Sequence, residues 1–210
     1  VYEIRRDRLP PGDPAIADAL EEQGLNQFDQ GNTEPAEKYL RDALAMRRIS
    51  LGEAPHPAVA ENLNNLALLL MESDRFEESE RLFKAAMDMN SALYGALHPE
   101  VATGLNNLGL LYRSQGELEK AEEAFSNALG MQRQLRGAQH PEVARVLNNL
   151  AFVFYDESDL PRAIQTLRSA MEIQRTSNGA RHPDTATSMS TLGRWLGEAG
   201  QDAEAAVLLR

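Results

Sequence analysis

Gly95-Ala-Leu-His-Pro-Glu-Val-Ala102 and, just beyond it, Leu105-Asn-Asn-Leu-Gly109 decide the fold, because both phrases return at a fixed interval. The His-Pro pair at 98–99 recurs at His56-Pro57, His140-Pro141 and His182-Pro183, so all four histidines precede proline and stand 42 residues apart. A fixed period of roughly 20–50 residues marks a chain built from stacked copies of one supersecondary unit. Function in such a chain lies on a continuous surface shared by the copies, not in one enclosed pocket.

Aligned on that pair, full copies run over residues 57–98, 99–140 and 141–182. A copy begins at 183 and reaches 210, its second helix incomplete, and another spans 14–56 with one extra residue in its closing loop. Residues 1–13 read as the tail of a preceding copy, with Asp13-Pro14 where the others have His-Pro. Since the sequence starts and stops inside a unit, we expect it to be a segment of a longer array.

Each copy predicts two helices. The first starts at the proline, whose fixed φ and missing N–H suit the first helical turn. Apolar residues then follow at i, i+3, i+4 and i+7, as in Leu147, Leu150, Ala151 and Phe154. The second helix carries Ala121, Phe125, Ala128 and Met131 and stops at a glycine placed as a C′ cap: Gly52, Gly95, Gly137 or Gly179. Small residues recur where two helices must approach closely: Gly24, Ala67, Gly109, Ala151 and Gly193 in the first, then Ala36, Ser79, Ala121, Ala163 and Ala205 in the second.

That alternation of large, small and aromatic positions resembles the tetratricopeptide repeat (TPR). The phrases Leu63-Asn-Asn-Leu-Ala67, Leu105-Asn-Asn-Leu-Gly109 and Leu147-Asn-Asn-Leu-Ala151, with the Gly-x-x-His-Pro-x-Val-Ala loop, are similar to the 42-residue kinesin-light-chain type. The resemblance implies an all-α, right-handed superhelical solenoid of antiparallel helix pairs, with the residues beyond the usual 34 lengthening the second helix by about two turns. It covers nearly the whole chain and is specific for fold. For function it is broad, since such repeats occur in motor-cargo adaptors and in bacterial signalling proteins.

Composition narrows the function classes. The net charge of −11 opposes nucleic-acid binding, which draws its affinity from cation–phosphate contacts. The longest apolar run, residues 66–71, is far short of the roughly 20 residues of a membrane helix. Cysteine is absent, which excludes thiol chemistry and agrees with a cytoplasmic location. No phosphate loop, HExxH motif or nucleophile–base set occurs, so we expect no enzyme activity and no cofactor. The histidines lie in successive copies, one helix-packing distance or about 8–10 Å apart, too far to share a metal at about 2 Å. They are expected to cap helices, a role for which Asp13 is a favoured substitute, and no metal is expected.

The resemblance puts the first helix of each copy on the concave groove, with the first Asn of each pair (Asn64, Asn106, Asn148) facing it. Amides there can hydrogen-bond an extended peptide backbone without reading its sequence. The second Asn (Asn65, Asn107, Asn149) is expected to tie helices together. One turn on stand Leu68, Leu110 and Phe152, and a further turn on Met71, Arg113 and Tyr155. These rows serve groove and core equally well on spacing alone, and Arg113 and Arg145 are the few cations. Acidic residues follow at Asp29, Glu72, Asp156 and Glu198, which calls for a partner segment with basic and apolar residues. The expected function is a protein–protein interaction scaffold holding a peptide or helical segment in that groove. A second reading is the sensor or regulatory array of a larger signalling enzyme, a nucleotide-switch ATPase or caspase-like protease. End-to-end self-association through unpaired terminal faces is a third.

Overall fold

The structure is a computed structural model that describes residues 9–10 and 13–208. Most of the expected preceding tail, 1–13, and Leu209, expected at a core position of the last copy, therefore lie outside the described residues. The described chain is all-α. Ten helices follow one another: α1 (Pro14–Asp29), α2 (Thr33–Leu51), α3 (Pro57–Glu72), α4 (Phe76–Tyr94), α5 (Pro99–Ser114), α6 (Leu118–Arg136), α7 (Pro141–Asp156), α8 (Leu160–Ser177), α9 (Pro183–Glu198) and α10 (Asp202–Leu208). They group into two compact units, Val1–Leu111 and Tyr112–Arg210.

The 42-residue period resolves into a 16-residue first helix, a three-residue turn, a 19-residue second helix and a four-residue loop. The second helix is the longer of the two, which is where the resemblance places the extra residues. It exceeds the first by three residues, less than one turn. No described helix is long and apolar enough to cross a membrane.

Local chemistry starts and stops these helices. His56, His98, His140 and His182 each accept a backbone N–H two residues on through Nδ1, at 3.1–3.2 Å. Asp13 does the same through Oδ1 at 2.9 Å. The histidines are N-caps, satisfying a donor that the first helical turn leaves open. The turn inside each pair places a left-handed residue at one register: Gly31, Asp74, Gly116, Ser158 and Gly200. We expect His140→Ala to cost about 1 kcal/mol and His140→Asp to stay within about 0.5 kcal/mol of the parent, read from urea midpoints.

In the first unit α1 pairs with α2 and α3 with α4, and α2 packs on α3. The small positions do what their size permits. A Cβ on Gly24 would lie 2.8 Å from Leu40 Cγ, so α1 and α2 touch there as closely as glycine allows. Ser79 holds the alanine position of α4 without cost because its hydroxyl donates to the Ala67 carbonyl at 2.7 Å. Around these contacts Leu40, Leu63, Leu66, Leu69 and Leu70 form a buried cluster. In the second unit α6 packs on α7, α7 pairs with α8, α8 packs on α9 and α9 pairs with α10. Phe125, Leu167 and Trp195 are fully or almost fully buried there. Burying each aromatic ring contributes about 2–3 kcal/mol.

Candidate functional site

The Asn-Asn phrase puts two amides on adjacent positions of a first helix, and the structure gives them linked roles. Asn65 of α3 donates to Glu21 Oε1 of α1 at 3.0 Å, and Asn107 of α5 donates to Asn64 Oδ1 of α3 at 2.7 Å. In both cases the second residue of one copy's pair binds the first residue of the preceding copy's pair. Asn65 and Asn107 therefore each tie a first helix to the one before it. The first position is half-buried at Asn64 and Asn148, where side-chain surface remains accessible. Asn148 also accepts from Ser188 at 3.3 Å.

Asn106 departs from the expectation. It is fully buried and its amide lies 3.4 Å from Asn107 Oδ1, so it offers a partner no surface. A polar side chain with no exposed surface must take its hydrogen-bond partners from inside the protein.

Two concavities open beside these amides, one in each unit. The first, about 600 Å³, lies between α3, α4 and the start of α5, against Glu61, Asn64, Asn65, Asn90 and Glu100. The second, about 420 Å³, lies between α7, α8 and the start of α9, against Arg145, Asn148, Asn149, Gln174 and Asp184. Each residue of the second set stands 84 positions, two periods, after its counterpart in the first. They are the same feature in two copies, formed where a second helix floors the space between consecutive first helices.

Of the expected groove residues, Asn64 lines the first concavity, and Arg145, Asn148 and Phe152 line the second. Arg145 is engaged, with Nε donating to Glu142 at 2.9 Å. Leu68, Met71 and Leu110 are half-buried on their helices and stand outside both concavities. Arg113 is paired as well: Nε donates to Asp156 at 2.6 Å and its guanidinium lies 5.1 Å from the Phe152 ring centre. Tyr155 stacks on Trp195 at 4.8 Å and donates to Glu198 at 3.1 Å, which raises its hydroxyl above the usual tyrosine range. Two of the expected acidic residues thus neutralise or bind groups of the same unit. Trp195 also meets Phe152 edge-on at 5.2 Å. It occupies the buried position held by Leu69, Leu111 and Val153 in other copies.

The floor of each concavity comes from second helices, at Asn90 and Gln174, and the far rim from the next copy's first helix, at Thr103 and Thr187. Neither group stood out in the sequence, because polar residues on a helix ordinarily signify solvent. Gln174 is buried, and its Oε1 has no hydrogen-bond partner among the described residues.

The tetratricopeptide-repeat family model matches residues 58–134, 105–176 and 142–210, and a second model of that description matches 28–58. No curated relative matches the chain. Among solved structures, BtubC (BKLC) from P. vanneervenii is similar at 24% identity and a TM-score of 0.79, over 93% of this chain and 77% of that one. A putative kinesin light chain from Podosopora anserina, with nearly identical TPR-like repeats, aligns at 21% identity and a TM-score of 0.76, over 93% and 92%. The Rap conjugation gene regulator of the plasmid pLS20, in complex with the Phr* peptide, aligns at 20% identity and a TM-score of 0.73; the alignment covers 93% of this chain but 52% of that one.

Proposed function

Because the chain belongs to the tetratricopeptide-repeat family, with 42-residue units of the kinesin-light-chain-like kind, we propose that it is a non-catalytic scaffold that binds a segment of a partner polypeptide along the inner faces of its first helices. The observation that carries this reading is the recurrence of one concavity, at Asn64 and again at Asn148, with the same register positions lining both. An enzyme needs a single set of groups converging on reacting atoms. A concavity repeated in each unit and walled by amides, hydroxyls and scattered carboxylates instead offers donors and acceptors to an extended segment.

The Rap regulator in complex with the Phr* peptide shares this fold, which supports a peptide as the occupant. Asn64, Arg145, Asn148 and Phe152 are the residues we place in contact with it, joined by Asn90, Thr103, Gln174 and Thr187. Leu68, Met71, Leu110 and Tyr155 extend the same helix faces and would meet a longer segment.

The test fills the concavities from their rims. Dodecapeptides selected from a random displayed library on the 210-residue chain should lose about tenfold or more in affinity on Thr103→Trp or Thr187→Trp. Both substitutions lie on the rim, so helicity and the melting temperature should stay at parent values. Peptides whose affinity is unchanged by both substitutions reject the proposal.

A further inference from the structure

One position of the second helix separates the copies: it is Arg47 in α2, Asn90 in α4, Gln132 in α6 and Gln174 in α8. In α2 the arginine is 4% exposed and fills the space between consecutive first helices. Its guanidinium donates to Asp18 Oδ1 at 2.9 Å and to the Ala58 carbonyl at 3.0 Å, and it pairs with Glu21 Oε2 at 2.6 Å. Glu21 is held in turn by Asn65. The planar fork of donors matches acceptors converging from α1 and from the first turn of α3.

One copy on, the acceptors recur and the donor does not. Glu61 stands at the register of Asp18, Asn64 at that of Glu21, and Glu100 at that of Ala58. Asn107 holds Asn64 as Asn65 holds Glu21, and Asn64 Oδ1 keeps a second lone pair. The position of Arg47 is taken by Asn90, a side chain three heavy atoms shorter, and what is left is the concavity of about 600 Å³. Among the described residues neither Glu61 nor Glu100 forms an ion pair, whereas Asp18 and Glu21 both pair with Arg47. Burial, and then the charge of Glu21, raise the Glu61 carboxyl above the usual range; Glu100 and Asp18 add to this and Arg47 opposes it. That is the direction of a carboxylate lacking a counter-charge. At the mouth Tyr94, 42% exposed, stacks on His98 with ring centres 4.3 Å apart. An aromatic wall of that kind suits a guanidinium plane.

We propose that the concavity at Asn64 is a socket for an arginine side chain of the partner, seated where Arg47 sits in the preceding copy. Glu61 supplies the charge, Asn64 and the Glu100 carbonyl the further acceptors, and Tyr94 the stacking face. The proposal rests on the inner-face reading above and adds the chemistry of the occupant.

The first arm of the test supplies the donor from within. Asn90→Arg should raise the melting temperature by about 2–4 °C, the shift expected for one well-satisfied interaction in a chain of this size. The second arm uses N-acetylarginine methylamide, followed by NMR at the side-chain amides of Asn64 and Asn65. It should shift both signals on the parent chain, bind about tenfold more weakly to Glu61→Gln, and leave Asn90→Arg unaffected. The uncharged isostere N-acetylcitrulline methylamide should bind the parent about tenfold more weakly. Equal responses to the arginine and citrulline probes overturn the socket, as does arginine binding that Glu61→Gln leaves intact. If Asn90→Arg fails to fold, the Glu61→Gln comparison decides alone. Selected peptides that lose affinity on Thr103→Trp yet carry neither arginine nor lysine overturn the socket and leave the scaffold reading standing. Peptides indifferent to both rim tryptophans overturn the scaffold reading itself.

Discussion

Arg47→Met is expected to destabilise the first copy by about 3–5 kcal/mol, the loss that follows when one partner of a buried ion pair is removed. Arg47 is 4% exposed and Glu21 is 7% exposed, so the substitution strands the Glu21 carboxylate in a site that water reaches poorly. The Ala58 carbonyl also loses its guanidinium donor. Asp18 matters less, because its side chain remains largely in solvent. The double substitution Glu21→Gln, Arg47→Met should recover most of the loss, since it removes the buried charge together with its partner. Native-state hydrogen exchange reads the effect, with protection falling first at α1 and α2 amides. Neighbouring units of a repeat array are coupled chiefly to one another, so protection in α7 and α8 should hold. Equal stability of Arg47→Met and the double variant would contradict the assignment of Arg47 as the counter-charge of Glu21.

Trp195→Ala is expected to cost about 3–5 kcal/mol, the range for deleting a large buried aromatic. Its ring is fully buried, stacked on Tyr155 and met edge-on by Phe152. Losing it removes packing from α9 and leaves the two half-buried aromatics of α7 without their backing. Exchange protection should fall across α9 and α10 first, and the near-ultraviolet circular dichroism of the aromatic cluster should collapse. Trp195→Phe should cost about 1 kcal/mol, since an aromatic ring remains in place and the indole Nε1 donor has no partner among the described residues to lose. A Trp195→Ala protein with parent stability would contradict the packing described for the second unit.

Why some of this was legible and some was not can be traced to single residues. His140 could be read as a cap because capping is local: a side-chain acceptor, a proline next in line and a free N–H two residues on suffice. Gly24 and Ser79 could be read as contact positions because two helices joined by a short turn must approach where side chains are small. Asn64 and Asn106 could not be told apart, although they occupy the same register. One is half-buried on the wall of a concavity and the other is fully buried. Helical periodicity says which residues share a face of one helix, not what stands opposite that face. Arg113 reads as a free groove cation until Asp156 and Phe152 are seen beside it, 43 and 39 positions away in sequence.

By itself the sequence determined the period, the two-helix unit, its caps and its small-residue contacts. All of these follow from interactions within a few residues, repeated often enough to exclude accident. The tertiary structure alone decided which polar side chains are spent inside the protein and which keep accessible surface. That choice depends on what the next copy supplies: Arg47 closes the space in one copy, and Asn90, too short to reach, leaves it open in the next.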